Sequence, residues 1–205
     1  PGICLHLIAK EQAERAAAQS EPEILQSDLS GLLMELLQWG CSDPAQMSWL
    51  DQPPAVNLQA AKRLLRMLGA LDGERLSAQG QKMAALGNDP RLAAMLVSAK
   101  SDDEAATAAK IAAILEEPPR MGNSDLGVAF SRNQPAWQQR SQQLLKRLNV
   151  RGGEADSSLI APLLAGAYAD RIARRRGQDG RYQLANGMGA MLDADDALSR
   201  HEWLI

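Results

Sequence analysis

Residues 57–80 read NLQAAKRLLRMLGALDGERLSAQG, and this stretch decides the fold of the first half of the chain. Leu58, Ala61, Leu64, Leu65 and Leu68 recur at helical spacing on one face, and Gly69 closes the turn. Asn57 is placed to cap the start of that helix. In Ala70-Leu71-Asp72-Gly73-Glu74-Arg75-Leu76 an Asp-Gly pair stands between apolar residues, the pattern of a tight β-hairpin. Ser77 is then a cap for a further helix running to Leu86 and Gly87. Helices flanking a small hairpin suggest a winged-helix unit.

Upstream, Glu21-Pro22 opens a helix in which Leu25, Leu29, Leu32, Leu33, Leu36 and Leu37 share one face, and Gly40 ends it. The run Ile3 to Ile8 suits a strand whose sheet would lie in a missing upstream part. Downstream, Asp89-Pro90 and Ser101-Asp102-Asp103-Glu104 each start a helix, and Pro118-Pro119 must stop the second. Segment 120–134 reads as loop, followed by helices over roughly 135–149 and 157–176. After Gly177, residues 181–185 and 187–192 read as turns and short strands of a truncated β-domain. Scarce aromatics and abundant Ala and Leu agree with a mainly α fold. No apolar run approaches membrane-spanning length. Cys4 and Cys41 lack metal-ligand spacing and read as free buried thiols of a reducing, cytoplasmic compartment.

The net charge of −3 hides an asymmetry. Residues 1–57 carry two cations against eight acids, whereas residues 131–177 carry nine against three. Between Ser131 and Arg151 there are five cations and no acid. Arg171, Arg174 and Arg175 follow at i, i+3 and i+4 of the expected helix, where they would share a face. Such a row either contacts successive phosphates or is a solvated face with salt bridges. Trp39 and Trp49 read as core residues, while Trp137, inside the basic block, is the candidate for stacking on a base.

Catalytic chemistry has little to work with. No G-x-x-x-x-G-K-[ST] loop is present, and Gly187-Met188-Gly189 reads as a tight β-turn rather than a dinucleotide fingerprint. His6 and His201 are the only histidines and lie near opposite ends of the chain. Asp102-Asp103 suits a helix N-terminus, and Glu116-Glu117 reads as solvated.

Pro1-Gly2-Ile3-Cys4-Leu5-His6-Leu7 is similar to the P-G-x-C-x-R-L-Y stretch that follows the last helicase motif of DEAH-box helicases. Pro22-Glu23-Ile24-Leu25, Trp49 to Pro54, Leu68 to Leu71 with Leu76 to Gly80, and Leu86 to Leu92 resemble four further family segments in the same order. Gly122 to Leu126, Ala169 to Arg174 and Gly187 to Ala190 are similar to one bacterial branch of that family. His6 and Gln26 stand where the family usually has Arg, Pro118-Pro119-Arg120 replaces a more charged helix end, and Ala169 stands where Pro is common.

The resemblance implies a non-catalytic accessory region of an ATP-dependent RNA helicase. Residues 1–20 would end an upstream RecA-like domain, 21–87 form a winged helix, 88–177 a helical "ratchet" bundle, and 178–205 the first strands of an oligonucleotide-binding (OB-like) domain. No cofactor is expected here, with ATP and Mg belonging to the two RecA-like domains upstream. The partners would be single-stranded RNA and that motor in cis, with no membrane. Arg132, Lys146, Arg147, Arg171, Arg174 and Arg175 are the candidate RNA-backbone contacts. A winged-helix regulator reading duplex DNA through Lys62, Arg63 and Arg66, and a scaffold docking an acidic partner, are the competing readings.

Overall fold

Alanine and leucine at helical spacing build most of the chain as helices packed around one apolar core, shown here by a computed structural model. It describes residues 2–3, 5, 7–15, 21–41, 43–87, 89–119, 124–177 and 179–205. Pro1, Cys4, His6, Asn88 and residues 120–123 lie outside these.

Helix α1 spans Lys10–Arg15, α2 Glu23–Gln26 and α3 Ser30–Gln38. The expected single leucine-faced helix is thus two. Ser27 adopts extended backbone, and the Asp28 carboxylate accepts from Ser30 N at 2.7 Å, so a new helix starts there. The described residues of the 3–8 run belong to no strand, and Ile3, Leu5 and Leu7 are exposed.

Helix α4 covers Ala55–Met67 with Pro54 at its N-cap, three residues before the expected cap; Asn57 instead ties α4 to α2 by donating to Leu25 O at 3.2 Å. Strands β1 (Leu71–Asp72) and β2 (Arg75–Leu76) form the expected hairpin, with Leu71 opposite Leu76. Gly73 sits at φ +60°, a conformation that Gly reaches without a Cβ clash. Helix α5 (Ala78–Leu86) follows, and Ser77 caps it by accepting from Gly80 N at 2.9 Å while donating to Gly69 O at 2.6 Å. Gly80 is required by a close approach, because a Cβ there would meet Ala70 O at 2.0 Å.

Asp89 caps α6 (Pro90–Val97), and Ser101 caps α7 (Asp102–Glu116), which stops before Pro118 as expected. Helix α8 (Leu126–Phe130) occupies part of the expected loop, capped by Asp125. Helix α9 (Pro135–Leu148) lies along α7. Ala105, Ala108, Ala109, Ala112 and Ala113 are buried on α7, and their small side chains let neighbouring helices approach closely. Leu33, Leu65, Met83, Leu96, Ile111, Ile114 and Leu144 are fully buried, so the core runs without a break from the hairpin unit into the bundle.

Helix α10 is Ile160–Ala167 and ends there, nine residues short of the expected end. A 3-10 turn over Ala169–Arg171 leads into β3 (Ala173–Arg175). Strands β4 (Arg181–Leu184), β5 (Gly189–Met191) and β6 (Trp203–Leu204) complete an antiparallel sheet of order β5-β4-β3-β6, open among the described residues. Gly187, at φ +87°, turns the chain between β4 and β5, as the sequence suggested. Among the described residues, no helix is long and apolar enough to cross a membrane.

Candidate nucleic-acid interface

Each basic side chain is positioned by its own element, and the structure divides the six candidates among three places. Arg132 is exposed just beyond α8. It borders a groove of about 380 Å³ with Lys110 of α7 and the amides Asn133, Gln134, Gln138 and Gln142. Lys110 lies over the Phe130 ring, 4.3 Å from its centroid.

Lys146 and Arg147 occupy the last turn of α9, where a cation complements the helix dipole. Lys146 is exposed and makes no ion pair among the described residues. Arg147 has a structural task, because its Nη1 donates to Leu86 O at 2.7 Å and satisfies a carbonyl at the end of α5. It lines a hollow of about 510 Å³ with Lys82 and Lys100. Sequence reasoning missed those two lysines as partners, since they lie far from Arg147 in the chain.

Arg171, Arg174 and Arg175 do not share a helix face, because β3 replaces the helix there. Arg171 is exposed on the 3-10 turn, its guanidinium 5.7 Å from the Tyr168 ring centroid. Arg174 lies above Trp203 at 5.4 Å and 3.4 Å from a Glu202 carboxylate oxygen. Arg175 is half-buried and donates to Arg200 O at 2.9 Å. Arg174 and Arg175 border the same cleft of about 800 Å³.

The junction that brings Arg171 beside the sheet is built on Arg91. This side chain of α6 is buried, donates twice to Asp170 at 2.7 and 2.8 Å, and donates to Ala167 O at 2.9 Å. Tyr168 lies against it with 5.1 Å from guanidinium to ring centroid. The hydrogen bond from Arg91 lowers the Asp170 pKa most, ahead of the opposing effect of burial. Burial opposes the Arg91 charge, yet Asp170 raises its pKa overall. Asp170 O also accepts from Asn186 N at 3.1 Å, which ties the same turn to the sheet.

Other charges are already committed. Arg140 of α9 forks onto Glu116 at 2.6 and 2.9 Å, so Glu116 is paired rather than merely solvated. Lys62 and Arg66 both reach Glu74 at the hairpin, and their hydrogen bonds and charge hold the Glu74 carboxyl below its ordinary range. Two of the three cations named in the duplex-DNA reading are therefore turned toward the hairpin. The tryptophans also exchange roles: Trp137 is buried and donates to Glu117 O at 3.0 Å, which removes it as a stacking residue. Trp39, expected in the core, is exposed, and Trp49 is half-buried with its Nε1 2.7 Å from Pro44 O.

Comparison with known proteins bears on these surfaces. Over all 205 residues the chain is 96% identical to the ATP-dependent RNA helicase HrpB of Escherichia coli strain K12. The match runs along the whole chain, which is similar to one segment of HrpB. That segment spans about 25% of HrpB's length. The crystal structure of the Escherichia coli DEAH/RHA helicase HrpB superposes with a TM-score of 0.90 at 96% identity, covering 99% of this chain and 26% of that one. A homolog of the ATP-dependent RNA helicase HrpA from Haemophilus influenzae is 32% identical over 106 residues, which cover 48% of this chain and 8% of that protein. No family model matches the chain. The chain thus has the mainly α body and small β tail expected from its sequence, and the HrpB crystal structure shares that fold.

Proposed function

We propose that this chain is the non-catalytic accessory region of an ATP-dependent RNA helicase, contacting single-stranded RNA and helping to close an RNA channel against a RecA-like motor elsewhere in the same polypeptide. The reading rests on one observation above the others, the 96% identity with HrpB across every residue. In it, residues 21–87 act as the winged helix, 88–177 as the ratchet bundle and 178–205 as part of an OB-like domain. ATP and Mg would be bound by the motor, in the cytoplasm. The mechanism assigned to this chain is passive: its cations neutralise RNA phosphates, its apolar core keeps them at fixed separations, and the wall they form follows the motor as it opens and closes.

Arg132, Lys146 and Arg171 are assigned as the phosphate contacts because they are exposed and make no side-chain hydrogen bond among the described residues, whereas Arg147 and Arg175 each serve a backbone carbonyl and Arg174 lies beside Glu202. The test is binding of a labelled single-stranded RNA across a salt series, with an Arg132→Glu, Lys146→Glu, Arg171→Glu variant in parallel. Three lost contacts make the slope of log affinity against log salt shallower by about 2 for a single strand. A preference for duplex DNA that survives the variant favours the winged-helix regulator. Unchanged RNA binding in the variant refutes the assignment of these three residues.

A further inference from the structure

The sheet has two unlike faces, and the sequence alternation explains why. On one face Ala173 and Tyr182 are buried, and the Tyr182 hydroxyl lies 2.8 Å from His201 O and 3.1 Å from Leu198 O. Residues 197–201 cover that face. The strand residues between these point the other way. On the open face the register aligns Trp203 of β6 with Arg174 of β3, Arg174 with Gln183 of β4, and Gln183 with Gly189 of β5. An aromatic ring, a guanidinium, an amide and a glycine therefore form one row across all four strands. Trp203 keeps 57% of its surface exposed, and beside Gly189 a Cβ would meet nothing within 4 Å. Trp203, Arg174 and Gln183 line the cleft of about 800 Å³ together with Glu202 and Arg176.

We propose that this row is a nucleobase subsite, in which Trp203 stacks on one unpaired base of single-stranded RNA while Gln183 and Glu202 engage its edge. The proposal rests on the RNA-binding reading and changes the role of Arg174 within it. Arg174 is held over the indole and beside the Glu202 carboxylate, so it steadies the platform instead of meeting a phosphate. A base fits the row because the exposed indole offers it a ring to stack on and Glu202 accepts from an exocyclic amino group, while Arg174 is already engaged by Glu202 and the indole. Exposed Arg176 at the cleft edge is placed for the phosphate of the same nucleotide. A base bearing an amino group, such as adenine, is preferred over uracil.

The test compares wild type, Trp203→Ala, Trp203→Phe and Glu202→Gln by affinity for labelled ten-residue oligoadenylate, oligouridylate and an abasic ribose-phosphate oligomer. Trp203→Ala weakens oligoadenylate binding about tenfold, with unchanged abasic binding and salt slope, and Trp203→Phe restores most of it. Glu202→Gln narrows the preference for oligoadenylate over oligouridylate. Equal oligoadenylate affinity in Trp203→Ala and wild type overturns the subsite. If the phosphate-contact variant flattens the salt slope while Trp203→Ala changes nothing, the subsite alone fails. If wild type binds none of the three oligomers, the RNA-binding reading fails with it. An unchanged Tm in Trp203→Ala establishes that the loss is not one of folding.

Discussion

Replacing Asp170 by Asn keeps the shape of the side chain and removes the charge that holds Arg91, which makes it the most informative perturbation of the junction between bundle and sheet. In wild type the guanidinium makes two charge-assisted bonds to Asp170 and one to Ala167 O, with the Tyr168 ring against it. Arg91 retains only 8% side-chain exposure, so after the substitution its charge stays in a poorly solvated place. Breaking a fully buried pair costs about 3–5 kcal/mol, and the 28% exposure of Asp170 admits water that lowers this to about 2–3 kcal/mol. For a chain of this size such a loss lowers Tm by about 5–10 °C. The assay is thermal and urea unfolding of wild type, Asp170→Asn, Arg91→Met and the double variant. The double variant is less destabilised than the sum of the singles, with a coupling energy of about 1.5–3 kcal/mol. A coupling below about 0.5 kcal/mol would refute the argument, because that is the size expected of an independent surface pair.

Two further predictions concern the same junction and the hairpin unit. Because the folded-state pKa of Asp170 lies below its ordinary 3.8, the stabilisation is present above that value and is lost as pH falls through the lowered one; the Tm gap between wild type and Asp170→Asn is full at pH 7 and closes below about pH 3.8, as a pH series of melts measures, and a gap independent of pH contradicts it. Gly80→Ala drives a methyl group into Ala70 O and destabilises the hairpin unit by about 1–3 kcal/mol, read as a lower urea midpoint; no shift would mean that α5 moves away freely.

Much of the helical half was legible because its signals are local. Ser77, Asp89 and Ser101 cap helices through side chains that reach backbone N–H groups two or three residues away. The Asp72-Gly73 hairpin needs only a residue free to take positive φ. The basic surface was less legible. Arg147, Arg140 and Arg174 look alike as members of a charge run, yet their partners are Leu86 O, Glu116 and Trp203, reached across 61, 24 and 29 positions of the chain. A charge run records composition, and composition does not say which charges are already spent.

The sequence by itself determined the helical character, the caps at Ser77, Asp89 and Ser101, the hairpin and the short strands after Gly177, since each depends on residues within a few positions of one another. Tertiary structure decided where α10 stops. Residues 168–176 have no local breaker, and they leave the helix because Asp170 is held by Arg91, 79 positions earlier, and because β4 and β6 satisfy the backbone of β3. It also decided which tryptophan meets solvent, burying Trp137 against α7 and leaving Trp203 at the sheet surface. Burial depends on what the rest of the chain brings to a residue, and that contact is non-local.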